Sequence, residues 1–371
     1  MDRGFHRREF LRATGAGLLA LGSGCNTLRA NLRWSIELDG SPARAVDVSN
    51  DGFVVASTLV ADGELGFAHF SGEYESLADF PRITASPINH GNRAFVEADG
   101  VVRSVPLNGG EPTRLRTEYL AFGRYSPLIS DSRLYGVGYS ERIEKYGAFS
   151  LNLETERLEW LHPFGHTRSS VDTDGKRLFA ASPTGTVRAY NAADGRTEWR
   201  QETAGNAVLT HHDGTVFVAS MDGVTALSPT DGTVRWHTES DWIGSVGTIP
   251  EANDSTVYAV LSLYSNHARS RLAMETYVVA YNRTTGEERW RKRARFGTPL
   301  TATKNVVAFE SVERAETSDG EMKPRDRLSI FGVGGGRKQQ YDLSERVTMK
   351  PILRDGVVIF SDGNTIVAHD R

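Results

Sequence analysis

An eleven-residue phrase returns along this chain at intervals of about forty residues, and it narrows the possible folds more than any other feature. It reads Ala189-Tyr190-Asn191-Ala192-Ala193-Asp194-Gly195-Arg196-Thr197-Glu198-Trp199, then Ala226-Leu227-Ser228-Pro229-Thr230-Asp231-Gly232-Thr233-Val234-Arg235-Trp236, then Ala280-Tyr281-Asn282-Arg283-Thr284-Thr285-Gly286-Glu287-Glu288-Arg289-Trp290. Each copy is an alanine, a turn that ends in glycine, three further residues and a tryptophan. A degenerate copy from Ser150 to Trp160 keeps the tryptophan and carries Glu156 where the glycine would stand.

The phrase is a hairpin. Strand residues lead into an Asp-Gly or Thr-Gly turn, where glycine supplies the positive φ that a tight connection needs. A second hairpin precedes each copy: Leu178-Phe179-Ala180-Ala181 before Val187, and Val216-Phe217-Val218-Ala219 before Val224. Four short strands repeating at this interval describe one blade of a β-propeller. One blade cannot bury both of its faces, so blades must stack around an axis. The 37 glycines and the modest apolar fraction, 39%, suit many short strands and tight turns.

These residues resemble the PQQ-like repeat, known from quinoprotein alcohol dehydrogenases and shared by the BamB-type outer-membrane assembly lipoproteins. The resemblance implies that each tryptophan docks between adjacent blades. Burying an indole of 150–250 Å² at about 25 cal/mol/Å² gives roughly 4–6 kcal/mol as an upper bound. Trp34, Trp160, Trp199, Trp236 and Trp290 are therefore expected to be structural. The fold expected is all-β: eight four-stranded antiparallel blades near 41–81, 82–118, 119–163, 164–203, 204–240, 241–296, 297–342 and 343–371, with seven blades as the alternative. The last span holds only three strands. Residues 32–38 can supply the fourth from the opposite terminus, with Trp34 in the tryptophan position, which removes an exposed sheet edge.

Residues 1–25 read as an address. Arg7-Arg8-Glu9-Phe10-Leu11 precedes an uncharged stretch from Ala13 to Gly24, too short to span a bilayer core. Arg7, Arg8, Phe10 and Leu11 resemble a twin-arginine export signal, and Leu21-Gly22-Ser23-Gly24-Cys25 resembles a lipobox, which makes Cys25 the lipidated first residue of the mature chain. Cys25 is the only cysteine, so no disulfide forms within the chain. Residues 26–31 would be a short tether and 32–371 the propeller. The expected location is the outer face of the cytoplasmic membrane.

The formal net charge is −4; without residues 1–25 there are 39 basic and 45 acidic side chains. That mildly acidic balance gives no electrostatic case for nucleic acid. A PQQ-dependent dehydrogenase would imply adjacent cysteines, calcium ligands and a catalytic aspartate, and none can be assigned here. No catalytic, cofactor-binding or metal-binding residue is therefore expected. His211-His212 is placed in a turn, His162 and His166 at a blade junction, and Asp172-Thr173-Asp174-Gly175 and Gly332–Gly336 in hairpin turns. Two insertions break the period. Residues 263–276 lengthen blade six, and the densely charged residues 312–327 lengthen blade seven, as solvated loops or a binding rim. The expected function is a monomeric interaction scaffold that binds a protein or envelope component and takes no cofactor. A small-molecule enzyme or sensor using the axial mouth is the alternative.

Overall fold

Strand composition follows depth in the blade. The second strand of the fifth blade, Thr215–Ser220, is buried at every position, because it lies inside a sheet with another sheet on either side. The outermost strand of the sixth blade, Glu288–Arg293, is instead exposed and half-buried in turn. This computed structural model describes residues 32–38, 44–58, 63–81, 83, 86–115, 120–122, 127–166, 168–238, 248–264, 274–316, 322–354 and 356–371. The proposed export residues and Cys25 lie outside them. Every regular element among the described residues is a strand.

The strands form eight antiparallel sheets, so the molecule is an eight-bladed propeller. Seven sheets run outward in chain order over 44–80, 88–114, 120–163, 170–202, 208–237, 251–293 and 301–342. The innermost strand of the third is split into Leu120–Phe122 and Leu128–Ser130, both paired with Arg133–Ser140. In the eighth, Ile352–Arg354, Val357–Asp362 and Thr365–Asp370 are completed by Leu32–Glu37 from the other end of the chain. Trp34 pairs with Ala368 and Ile36 with Ile366. The seam is held further by Leu38 N–H donating to the Asn364 carbonyl at 3.1 Å and by the Arg33–Asp370 ion pair.

The core is divided in the same way. Eight apolar clusters lie one at each junction between neighbouring blades. Phe179, Trp199 and Val216 join blades four and five, and Ile36, Phe53 and Ile366 join blades eight and one.

The five repeat tryptophans share one geometry. Each indole Nε1 donates to a carbonyl in the turn between the last two strands of the next blade: Trp34 to Phe70 at 3.0 Å, Trp160 to Ala192 at 3.1 Å, Trp199 to Pro229 at 2.8 Å, Trp236 to Arg283 at 2.9 Å and Trp290 to Val333 at 2.8 Å. A β-bulge in the outer pairing falls at each of them, and an extra residue in one strand re-aims the side chain that follows. The turn glycine lies under the ring. A Cβ on Gly232, whose φ is +74°, would sit 2.7 Å from the Trp199 indole. Glu156 adopts φ 55° at the equivalent site of blade three. Blade two ends in the two-residue strand Thr113–Arg114 and sends no tryptophan there, so a side chain fits.

Candidate interaction face

Up-and-down connectivity sorts the loops onto two faces. Turns between first and second strands, and between third and fourth, lie on one face with the tryptophan locks. Hairpins between second and third strands, and the links from each blade to the next, lie on the other. On this hairpin face the blades differ sharply in reach. The blade-four pairing ends at Ala181 with Val187, and the blade-five pairing at Ser220 with Gly223. Blade six continues to Tyr264 with Met274, and blade seven to Glu316 with Met322. Five pairs beyond Ser311, at about 3.4 Å per residue, add roughly 17 Å to blade seven. Eleven of the sixteen residues 312–327 are thus paired strand rather than open loop, and in 263–276 the pairing includes residues 263, 264 and 274–276. Residues 265–273 and 317–321 lie outside the described residues.

Strand periodicity explains how so charged a stretch pairs. Val307, Phe309, Ser311 and Glu313 alternate onto the side of blade seven that meets blade six, where Phe309 stacks on Phe331 at 5.2 Å. Beyond that stack the face turns polar. Ser311 and Ser329 hydroxyls lie 2.7 Å apart. Glu313 accepts from Arg327 at 3.0 Å, Arg337 at 2.5 Å and Gln340 at 3.2 Å. Asp342 takes Arg325 at 2.8 Å and the Arg327 Nε at 2.7 Å. The link leaving blade six is stitched to the hairpin's base: Arg295 N–H donates to the Glu310 carbonyl at 3.0 Å, and Ala294 bridges to Ser311. Phe296 on that link is 46% exposed, and Met221, at the tip of the short blade-five hairpin, is 38% exposed. Both stand on the same face as the long hairpins.

Glu310 lies beneath this face, wholly buried. Its Oε2 accepts from Val347 N–H at 3.3 Å, across the junction with blade eight, and its Oε1 has no partner among the described residues. Burial pushes its carboxyl from 4.5 up to about 7; Arg346 pulls against that and Asp326 adds to it. Glu97, at the same place in the second strand of blade two, is also buried, but it accepts from the Gly100 N–H at 2.5 Å. The signal for Glu310 is present in the sequence as one acid inside Val306-Val307-Ala308-Phe309-Glu310-Ser311.

The other singled-out residues do not converge. His211 and His212 both lie in the strand Val208–His212, so their placement in a turn is corrected. The His211 ring faces Phe179 of the preceding blade at 5.5 Å, and the His212 ring approaches Asp254 of the following blade at 3.8 Å. His162 stacks on Tyr190 and His166 on Tyr146. Asp172 is a staple between inner strands: it accepts from His211 N–H at 2.6 Å and the Thr210 hydroxyl at 3.0 Å, while burial raises its carboxyl. Gly332 ends a strand, and the turn that follows receives the Trp290 indole. Across the axial mouth, Lys350 of blade eight reaches Glu251 of blade six at 2.5 Å. Among the described residues no group of three or more His, Cys, Asp or Glu side chains could hold a metal ion, and no helix is long and apolar enough to cross a membrane.

Residues 223–371, from the third strand of blade five onward, match the family described as outer membrane protein assembly factor BamB. No curated protein matches the chain. Among solved structures, the computationally designed Ika8 protein is similar over 90% of this chain and 98% of its own, at 15% identity and a TM-score of 0.68. BamB from Moraxella catarrhalis is similar over 92% and 97%, at 14% identity and 0.65. Sqt1 from Saccharomyces cerevisiae is similar over 92% and 99%, at 11% identity and 0.64. At such identities the likeness speaks for the fold. Together with the eight sheets, it makes the chain an eight-bladed β-propeller, whose residues 223–371 are similar to the BamB family.

Proposed function

We propose that this protein is an exported, lipid-anchored propeller that acts as a protein-binding scaffold at the cell envelope, and that its hairpin face over blades five to seven is the docking surface. The observation that carries the reading is asymmetry. The ring carries its longest paired hairpins on two adjacent blades, six and seven, with nine and eleven pairs against eight in blade three and five in blades four and five, and leaves Phe296 and Met221 exposed beside them. Solenoid and propeller proteins bind through such per-repeat insertions. The BamB-like match is in keeping with a scaffold rather than an enzyme. A photo-cross-linking residue at Phe296 or Arg325, in cells, is expected to capture the same partner, whereas one at Thr284 on the opposite face captures none. Equal capture from both faces, or none from either, overturns the reading. Purified protein mixed with PQQ and calcium is expected to give no calorimetric binding and no substrate-dependent dye reduction.

A further inference from the structure

Between the outer strand of blade six and the long hairpin of blade seven lies a cavity of about 260 Å³, lined by Lys292, Arg293, Arg337, Glu313 and Phe331, with Gly335 at one end. Three cations face one carboxylate in a chain whose net charge is −4. Glu313 is already shared among Arg327, Arg337 and Gln340, and Arg293 is paired with Glu275. Lys292 stands apart. It is half-buried, makes no ion pair among the described residues, and rests its ammonium 5.6 Å over the Phe331 ring. A ring face returns only part of the hydration that a lysine gives up, whereas a carboxylate supplies a charge-assisted hydrogen bond.

The position is also an exception within the repeat. Two residues beyond the tryptophan, the other tryptophan-bearing blades carry Ile36, His162, Gln201 or Thr238. His162 lies parallel on Tyr190 in the same junction site where Lys292 lies on Phe331. Only this junction places a lysine there. Blade seven also leaves room beside it, because Gly334 and Gly336 in the adjoining turn have open space where a side chain would point. The cavity is smaller than the roughly 300–1,000 Å³ of small-molecule sites, which fits it to a single side chain.

We infer that this groove seats an aspartate or glutamate side chain of an extended acidic segment of the partner polypeptide, with Lys292 as its principal contact. The inference rests on the scaffold reading and adds the chemistry of the partner. The test is fluorescence anisotropy of a labelled hexaglutamate peptide with the full-length protein in detergent, and hexaglutamine is the control. Hexaglutamate is expected to bind saturably and at least ten-fold more tightly than hexaglutamine. Lys292→Met, which keeps the aliphatic stem on Phe331, is expected to weaken binding about ten-fold with an unchanged melting temperature. Lys176→Met, at an exposed turn of blade four, is expected to leave binding as it was.

Absent saturation, equal weakening by Lys176→Met, or displacement by inorganic phosphate at the concentration where free glutamate displaces would each overturn the assignment. The cross-linking at Phe296 and Arg325 separates this failure from failure of the scaffold reading. A partner captured there by a protein that ignores hexaglutamate sinks the groove and leaves the scaffold standing.

Discussion

Gly232 and Glu156 occupy equivalent corners of two blades, and their difference shows what fixes each residue. A left-handed backbone alone is tolerable for a side chain, as Glu156 demonstrates. An indole over the α-carbon is not. Gly232→Ala combines the left-handed penalty with overpacking and is expected to cost about 3 kcal/mol. Gly109→Ala has φ +78° but meets nothing within 4 Å, and is expected to cost about 1 kcal/mol. Chemical denaturation of the two variants checks the ranking. Glu310 sets a second test. Its folded carboxyl holds a proton more tightly than the unfolded one, so its contribution is full below the unfolded value of 4.5 and falls as pH rises to about 7. The loss is about 3 kcal/mol at most. Glu310→Gln is expected to match the wild type at pH 4 and exceed it in melting temperature at pH 8. A variant no more stable at pH 8 than the wild type would show that the buried carboxyl carries no such penalty.

Among the elements, the strand Leu32–Glu37 has the largest consequence for so few residues. It buries Ile36, brings Trp34 to Phe70 of blade one and covers the edge of Thr365–Asp370. A chain beginning at residue 41 is expected to melt at a lower temperature and to self-associate through the bared edge, as read by light scattering. An unshifted melt with a monomeric profile would count against the closure. The strand was legible in the sequence because its counterpart was missing: the last repeat has three strands, and residues 32–38 bring Trp34 to its tryptophan position. Glu310 and Lys292 were harder to read. Their surroundings come from other blades, such as Val347 above one and Phe331 beneath the other, and the repeat phrase carries no trace of that pairing. The charged stretch 312–327 was harder still. Its apolar alternation stops after Phe309, and Glu313, Arg325 and Arg327 are matched instead by partners on neighbouring strands. Local hydrophobicity could not distinguish it from an open loop.

For the molecule as a whole, eight junction clusters in a closed ring mean that no blade has an unpaired face. Such a body suits export as a folded unit, which is the business of the twin-arginine route proposed for Arg7 and Arg8. Replacing both with lysine is expected to abolish export. Cys25→Ala is expected to move the protein from the membrane fraction to the soluble fraction, as checked by fractionation; retention in the membrane as complete as the wild type would refute lipidation. The route of the closing strand adds a consequence. Leu32 pairs with His369, at the end of blade eight nearest the tryptophan-locked turns, and the strand runs from there toward the hairpins. Leu32 therefore enters the ring on the side away from the proposed docking surface, and six residues such as the proposed tether 26–31 would span at most about 20 Å. Anchored at Cys25, the ring would sit with its locked turns toward the lipid and its two long hairpins pointing outward, already oriented toward a soluble visitor.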